Sequence, residues 1–304
     1  MEKDIKKEED KEKEKEKKIE KKECTIEYPY ELIRSGECIK VCNATDFFNY
    51  ICRINNKDST VKNNMIKAIK KEILNGNLDN LLSKLMNDKK EDLIVIEEDI
   101  IYTLTNTDNQ EKNKNKNIST INLGECENEL KKQYKIDNIE PLLIFKIDVL
   151  DKDLNYPFIE YEVYNYKTKE KLNMNYCKDI KININFPVNI DENNEFKYDP
   201  SSKYYNDICY TYTTENGTDI ILDDRKNEFL KNNMSLCEST CDYERYNSET
   251  KKASCNCEIK IKIPFISEIV INKDLLRSKF VNIKNYINLN VMKCFKVLFS
   301  NEGL

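Results

Sequence analysis

Histidine and tryptophan are absent from the 304 residues, and glycine and proline are scarce at 5 and 6. Without histidine the chain lacks the commonest general base, metal ligand and pH-sensitive side chain. Ser-His-Asp and Cys-His nucleophile arrangements are therefore impossible. The glycines Gly36, Gly76, Gly124, Gly217 and Gly303 stand too far apart for a GxGxxG or P-loop phosphate cradle. No window reaches the ~18 apolar residues of a membrane span. A secretory leader is not visible either, because residues 1–23 hold ten Lys and ten Asp/Glu instead of an apolar stretch. Basic residues are not in excess, with 50 Lys+Arg against 55 Asp+Glu and a net charge of −5, so nothing favours nucleic acid or anionic lipid as a partner.

What is present is cysteine, twelve in all, an even number gathered in two clusters with singles between. In a secreted setting this reads as a disulfide framework, whereas a reduced cytosolic protein rarely carries so many. The bias toward Asn, Lys, Ile, Asp, Glu and Tyr is that of an AT-rich genome and says little about function. Four sequons occur, at Asn43, Asn117, Asn216 and Asn233. With 40 asparagines at the Ser/Thr frequency of this chain, about four arise by chance, so they permit glycosylation without arguing for it.

Residues 1–23 form a charged low-complexity tail or linker without an apolar stripe. Residues 24–56 contain Cys24, Cys38, Cys42 and Cys52 and read as a small stapled module whose three pairings the sequence does not separate. A helical hairpin is expected over 57–92, with Met65, Ile66, Ile69, Ile73 and Leu74 on one helix and Leu78, Leu81, Leu82, Leu85 and Met86 on the next. Asn75-Gly76 is the stop between them. The stretch 93–265 reads as mainly β. Strands are expected over 93–105, 118–123 and 142–150, with an exposed loop at 106–117 and a short helix from Glu125 to Tyr134. The clearest strand signal is 180–190, where Ile180, Ile182, Ile184, Phe186, Val188 and Ile190 alternate with polar residues. Pro187, on the polar-facing set, implies an edge strand or a break there. Ile259, Ile261, Ile263 and Phe265 repeat the alternation, and 266–304 carries an amphipathic helical stripe.

The tightest constellation is Cys237-x3-Cys241 with Cys255-x-Cys257. Cys255 and Cys257 continue the face of Ile259 and Ile261, so their sulfurs point toward a core. Cys237 and Cys241 lie either on one face of a helix above that strand or at the start of a hairpin through Tyr243 and Tyr246. Both arrangements bond Cys237 and Cys241 to Cys255 and Cys257. A tetrahedral zinc site is the competing chemistry, although the usual knuckle is Cys-x2-Cys. Asp151, Asp153, Asn155 and Glu162 fall at calcium-loop spacing, but the sixth position is Tyr156 where glycine is needed and the flanks read as strands, so an ordinary polar turn is the better reading. With 55 acids in the chain, sequence proximity identifies no catalytic carboxylate pair.

The segment 236–258 resembles the cystine-stabilised helix–strand unit of small secreted proteins in its helical version. In its hairpin version it resembles short EGF-like or growth-factor-receptor-like cysteine repeats. Large cysteine-rich surface proteins of AT-rich unicellular eukaryotes carry such units, and Leu236-Cys237 through Cys257 is similar to them. No cysteine follows Cys257 within the next eight residues, so a full EGF pattern is not met. The resemblance implies a cell-surface glycoprotein, and the charge run abutting Cys24 suits a fragment of a longer membrane-anchored chain.

The expectation is thus an α+β protein: a mostly antiparallel β domain with a helical hairpin and disulfide-stapled cysteine modules. Its expected role is non-catalytic binding or display outside the cell or in a lumen, with no cofactor and a protein or glycan ligand. Membrane attachment would come only through other segments. An intracellular zinc-stapled scaffold is the alternative, and a carboxylate-based hydrolase a more distant one. The partners of Cys126, Cys177, Cys209 and Cys294 cannot be read from the sequence.

Overall fold

Alternating apolar and polar residues, as in Ile182–Pro187, need a sheet with one face turned to a core, whereas near-continuous burial, as over Leu142–Val149, needs a sheet covered on both faces, and the described residues hold one sheet of each kind. A computed structural model describes residues 23–86, 91–112, 118–151, 154, 156–207, 209–214, 217, 219–220, 225, 236–238 and 240–260. The charged stretch 1–22, the expected strand positions Ile261, Ile263 and Phe265, and the C-terminal stripe 266–304 lie outside the described residues. Two compact units are present, with the boundary between Glu72 and Ile73.

In the first unit, β1 (Tyr30–Leu32) lies between β2 (Cys38–Ile39) and β3 (Cys52–Ile54) in an antiparallel sheet. Helix α1 (Ala44–Phe48) starts where the Asn43 side chain accepts a hydrogen bond from the Asp46 N–H at 2.8 Å. Phe47 and Phe48 are buried and meet edge to face. So small an apolar set supports little structure alone. Two disulfides, Cys24–Cys38 and Cys42–Cys52, supplement it. Arg53 adds a bidentate pair to Glu31 at 2.7–3.0 Å. Helix α2 (Ser59–Leu74) follows and buries Val61, Met65, Ile69 and Ile73 at successive i+4 steps. It stops before Gly76, whose φ of +71° suits glycine alone.

The second unit continues in chain order with α3 (Asp79–Met86), β4 (Leu93–Ile96), β5 (Ile100–Asn106), α4 (Thr107–Lys112), β6 (Thr120–Asn122), α5 (Glu125–Tyr134), β7 (Leu142–Val149), β8 (Phe158–Asn165), β9 (Ile182–Pro187), α6 (Lys203–Asn206), β10 (Tyr212–Thr213), β11 (Asp219–Ile220), β12 (Cys241–Asn247) and β13 (Lys252–Cys257). One four-stranded sheet has the order β4-β5-β7-β8, a second the order β12-β13-β9-β6, and β10-β11 form a small ribbon. Every ladder is antiparallel. The α+β, disulfide-rich class expected from the sequence is the one observed.

The two larger sheets share one core. Leu142, Ile144, Ile159, Tyr161 and Val163 from the first meet Ile182, Ile184, Phe186, Ala253, Cys255 and Cys257 from the second. The partners left on the opposite face of the second sheet are polar: Thr120, Asn122, Asn183, Asn185, Lys252 and Ser254. On β12 the alternation is reset by a bulge between Tyr243 and Arg245, which lets Tyr243 and Tyr246 both pack on the core although they are three residues apart.

One local expectation changes and another is resolved. Residues 107–112 are helix α4 and not exposed loop, and Asn109 and Gln110 are buried. The Asn106 side chain caps the turn by accepting from the Asn109 N–H at 2.8 Å, and the Gln110 amide donates to Thr105 Oγ1 and accepts from the Ile121 N–H, both at 2.8 Å. Pro187 marks the break of the two expected alternatives, as the last residue of β9, and the strand that ends there is interior and not at an edge. The Val188 N–H donates to Lys251 on the β13 side, so the proline nitrogen faces the other way. There β6 has already ended at the Thr120–Asn185 pair, and no ladder bond is lost.

Candidate functional site

The cysteine staple is a hairpin and not a helix over a strand. Disulfides join Cys237 to Cys255 and Cys241 to Cys257, the second pair at directly opposed positions of β12 and β13. Glu238, beside the first of these, accepts from the Ile159 N–H at 3.1 Å and from Lys260 Nζ at 2.7 Å, and Lys260 also donates to the Ile159 carbonyl at 2.7 Å. The staple is thereby tied to the start of β8. A further disulfide, Cys126–Cys177, ties α5 to the 3-10 turn Met174–Cys177. Cys209 is disulfide-bonded as well, Cys294 lies outside the described residues, and no described cysteine is free.

The other candidate residues are not brought together. Asn43 is exposed, and its amide donates to the Asp46 carboxylate at 2.7 Å. Asn117, Asn216 and Asn233 lie outside the described residues, as do Asp153 and Asn155. The Asp151 carbonyl accepts from the Leu154 N–H at 3.2 Å, as in a polar turn. Glu162 points elsewhere: on β8 it is buried, accepts from the Tyr164 hydroxyl and pairs with Lys171. Among the described residues no group of three or more Cys, Asp or Glu is placed to hold a metal ion.

The unit's chemistry is concentrated elsewhere, in residues that the sequence reading passed over. Further along the β7 face that begins with Leu142 and Ile144 stand Lys146 and Asp148, buried to 0% and 2% exposure. Lys146 Nζ donates to Ser119 Oγ at 2.7 Å and to the Asp148 carboxylate at 3.2 Å, and Ser119 Oγ donates to the same carboxylate at 2.6 Å. Lysine and aspartate inside an otherwise apolar strand were the available signal for this cluster.

Lys252, the first residue of β13, lies close enough to this pair for their charges to act on it. Lys252 is only 4% exposed, and among the described residues its Nζ has no hydrogen-bond partner. Burial first, and then the Lys146 ammonium, push the Lys252 amine down to about 8, while Asp148 acts in the opposite direction. Lys252 lines a cleft of about 300 Å³. The polar face of the second sheet contributes Thr120, Asn122, Asn183, Asn185, Ser254, Glu244, Arg245 and Asn247, and α4 and α5 contribute Thr107, Gln110 and Glu127.

The two carboxylates of the cleft already have donors. Glu127 accepts from the Thr107 hydroxyl and pairs with Lys131, both at 2.8 Å. Glu244 accepts from Asn183 Nδ2 at 2.8 Å and Ser254 Oγ at 2.9 Å. Asn183 also donates to Asn256 at 3.1 Å, and Asn185 donates to Asn183 at 2.7 Å, so the amides form a ladder across the strands. Among the described residues no helix is long and apolar enough to cross a membrane. No family model, no curated protein and no solved structure matches the chain.

Proposed function

We propose that this chain is a non-catalytic, disulfide-stapled binding region of a protein exposed outside the cell or in an oxidising lumen. The observation that carries this reading is the set of five disulfides among the described residues, joining ten cysteines, with none of the described cysteines left free. Disulfides in such number form and persist in oxidising compartments. The same pairing weighs against a zinc-stapled scaffold, because a disulfide sulfur has no thiolate charge to give a metal. Loops and faces held on a cross-linked scaffold suit capture or display of a ligand.

Two features support a binding role over catalysis. The Ser119–Lys146–Asp148 cluster resembles an activated nucleophile, but Ser119 and Lys146 are sealed at 1% and 0% exposure, where no substrate reaches them. The carboxylates in the cleft are engaged by neighbouring donors and cations.

The test is a thiol count on protein from its native source, by alkylation before and after reduction, with zinc measured alongside. Few or no free thiols and no zinc is the expected result. Mostly free thiols with about one zinc per chain would overturn the reading and favour the intracellular scaffold.

A further inference from the structure

We infer that the cleft over the polar face of the second sheet binds an acidic, hydroxyl-rich ligand of sugar-acid type, its carboxylate seated on Lys252. This deepens the binding role proposed above and rests on it.

The argument begins with the amine. Lysine is almost never buried without a partner, because removing an ammonium from water is costly unless an anion replaces that water. Lys252 lines the cleft, but its Nζ is turned in from the surface and has no hydrogen-bond partner among the described residues, so a carboxylate in the cleft would draw the ammonium out on its flexible four-carbon stem. The adjacent Asp148 carboxylate is already held by Lys146 and Ser119, so it does not serve Lys252 as a bonded partner. Arg245, exposed in the wall of the same cleft, adds a second cation. Glu127 is neutralised by Lys131, and Glu244, held only by the neutral Asn183 and Ser254 side chains, offsets one of the two cations, so one positive charge remains for a ligand carboxylate to answer.

The rest of the lining selects among anions. Asn122, Asn185, Asn247, Thr120 and Thr250 present amides and hydroxyls that both donate and accept. This is the complement of a ring carrying several hydroxyl groups. Among the described residues no aromatic side chain lines the cleft, so a nucleobase or aromatic acid finds no stacking partner there. A phosphate dianion would overcompensate that single positive charge beside the Glu244 carboxylate, whereas a carboxylate monoanion matches it. A volume near 300 Å³ sits at the small end of ligand sites and suits a single sugar ring.

The experiment is titration of the oxidised full chain with glucuronate, methyl glucuronoside, glucose, acetate and phosphate, followed by calorimetry and by amide chemical shifts. Glucuronate is expected to bind at least tenfold more tightly than glucose, acetate or phosphate. Lys252→Met should abolish the binding, and Arg245→Gln, on an exposed side chain, should weaken it about threefold. Affinity should fall about tenfold between pH 7 and pH 9 as Lys252 loses its proton. The other charged groups around the site are Lys146 and Asp148 of β7, Glu127 of α5, and Glu244 and Arg245 of β12. Arg245→Gln, which still binds and keeps Lys252, should show the same fall of about tenfold.

Binding of the methyl glycoside along with the free acid would identify a residue of a glycan chain, and binding of the free acid alone a soluble sugar acid. Either supports the inference. Glucuronate that fails to bind at tens of millimolar, that binds Lys252→Met as well as the parent chain, or that is matched by acetate or phosphate would overturn it. A chain with fully oxidised thiols that binds no sugar acid loses this ligand class alone. Free thiols would instead remove the underlying role.

Discussion

Lys146 and Asp148 stand two residues apart on the same face of one strand, 3.2 Å from nitrogen to oxygen, both nearly sealed from solvent. Such a pair contributes little net stability over an apolar replacement, but leaving one charge unpartnered is costly. The two halves are not equivalent here, because Lys252 is close by. Asp148→Asn strands two ammonium groups and should cost about 3–5 kcal/mol. Lys146→Met leaves Asp148 with Ser119 and the nearby Lys252 cation, and should cost distinctly less. Urea denaturation of both variants under oxidising conditions measures the difference. Equal losses would mean that Lys252 does not sense the carboxylate.

Lys252 itself should be a destabilising residue in the free protein. Its folded-state amine, at about 8, lies below the ordinary 10.5, so between those values the unfolded chain holds more protons. Stability from this group therefore rises with pH across that window. Lys252→Met should stabilise the chain by roughly 1–3 kcal/mol at pH 7, the cost of an unsatisfied buried polar group. The gain should shrink as pH climbs from 8 toward 10.5. Burial raises the Tyr161 and Tyr164 hydroxyls in the folded state, which makes both proteins lose stability at higher pH, so the difference between parent and variant is the quantity to follow. A pH-independent gain would place the effect in packing and not in charge.

The buried half of the architecture was legible because it depends on local alternation. Ile182, Ile184 and Phe186 declare one face of β9 without any tertiary information, and the positions of Cys255 and Cys257 continue the same logic on β13. The cleft was not legible, for two reasons. Lys252 follows Thr250 and Lys251 at a turn and reads as a solvated residue, and only its register against Pro187 and the cover over that face enclose it. Read alone, Asn183 and Asn185 are only the polar half of an alternation; the antiparallel ladder sets them against Asn256 and Ser254. Helix α4 was hidden in a run of Asn, Asp and Lys because Gln110 anchors it through side-chain bonds to Thr105 of β5 and Ile121 of β6, which no local propensity reports.

The disulfides should differ in what they contribute. Cys126 and Cys177 are 51 residues apart, against 10 for Cys42 and Cys52. On loop-closure entropy the first is worth about 4 kcal/mol and the second about 3. Replacing Cys126 and Cys177 together by alanine should therefore lower the denaturation midpoint of the second unit more than the Cys42/Cys52 pair lowers that of the first. Tryptic cleavage after Lys131 or Lys132, on the helix that this disulfide tethers, should accelerate in the same variant. A midpoint that does not move would show that packing around these two residues, both 0% exposed, holds the helix without the bond.

Asn43 tests the surface reading at a single residue. Its side chain is exposed and caps α1 through its oxygen, which leaves the amide nitrogen, now bonded to Asp46, as the atom a glycan would take. Glycosylation should therefore replace the Asp46 contact while sparing the cap. Expression through a secretory pathway should add one glycan at this position, seen by mass after peptide cleavage. Thr45→Ala should remove the glycan and keep the cap. Asn43→Gln should remove both and cost a further 0.5–2 kcal/mol or so. Secreted, oxidised protein that carries no glycan at Asn43 would count against the glycoprotein assignment at this site.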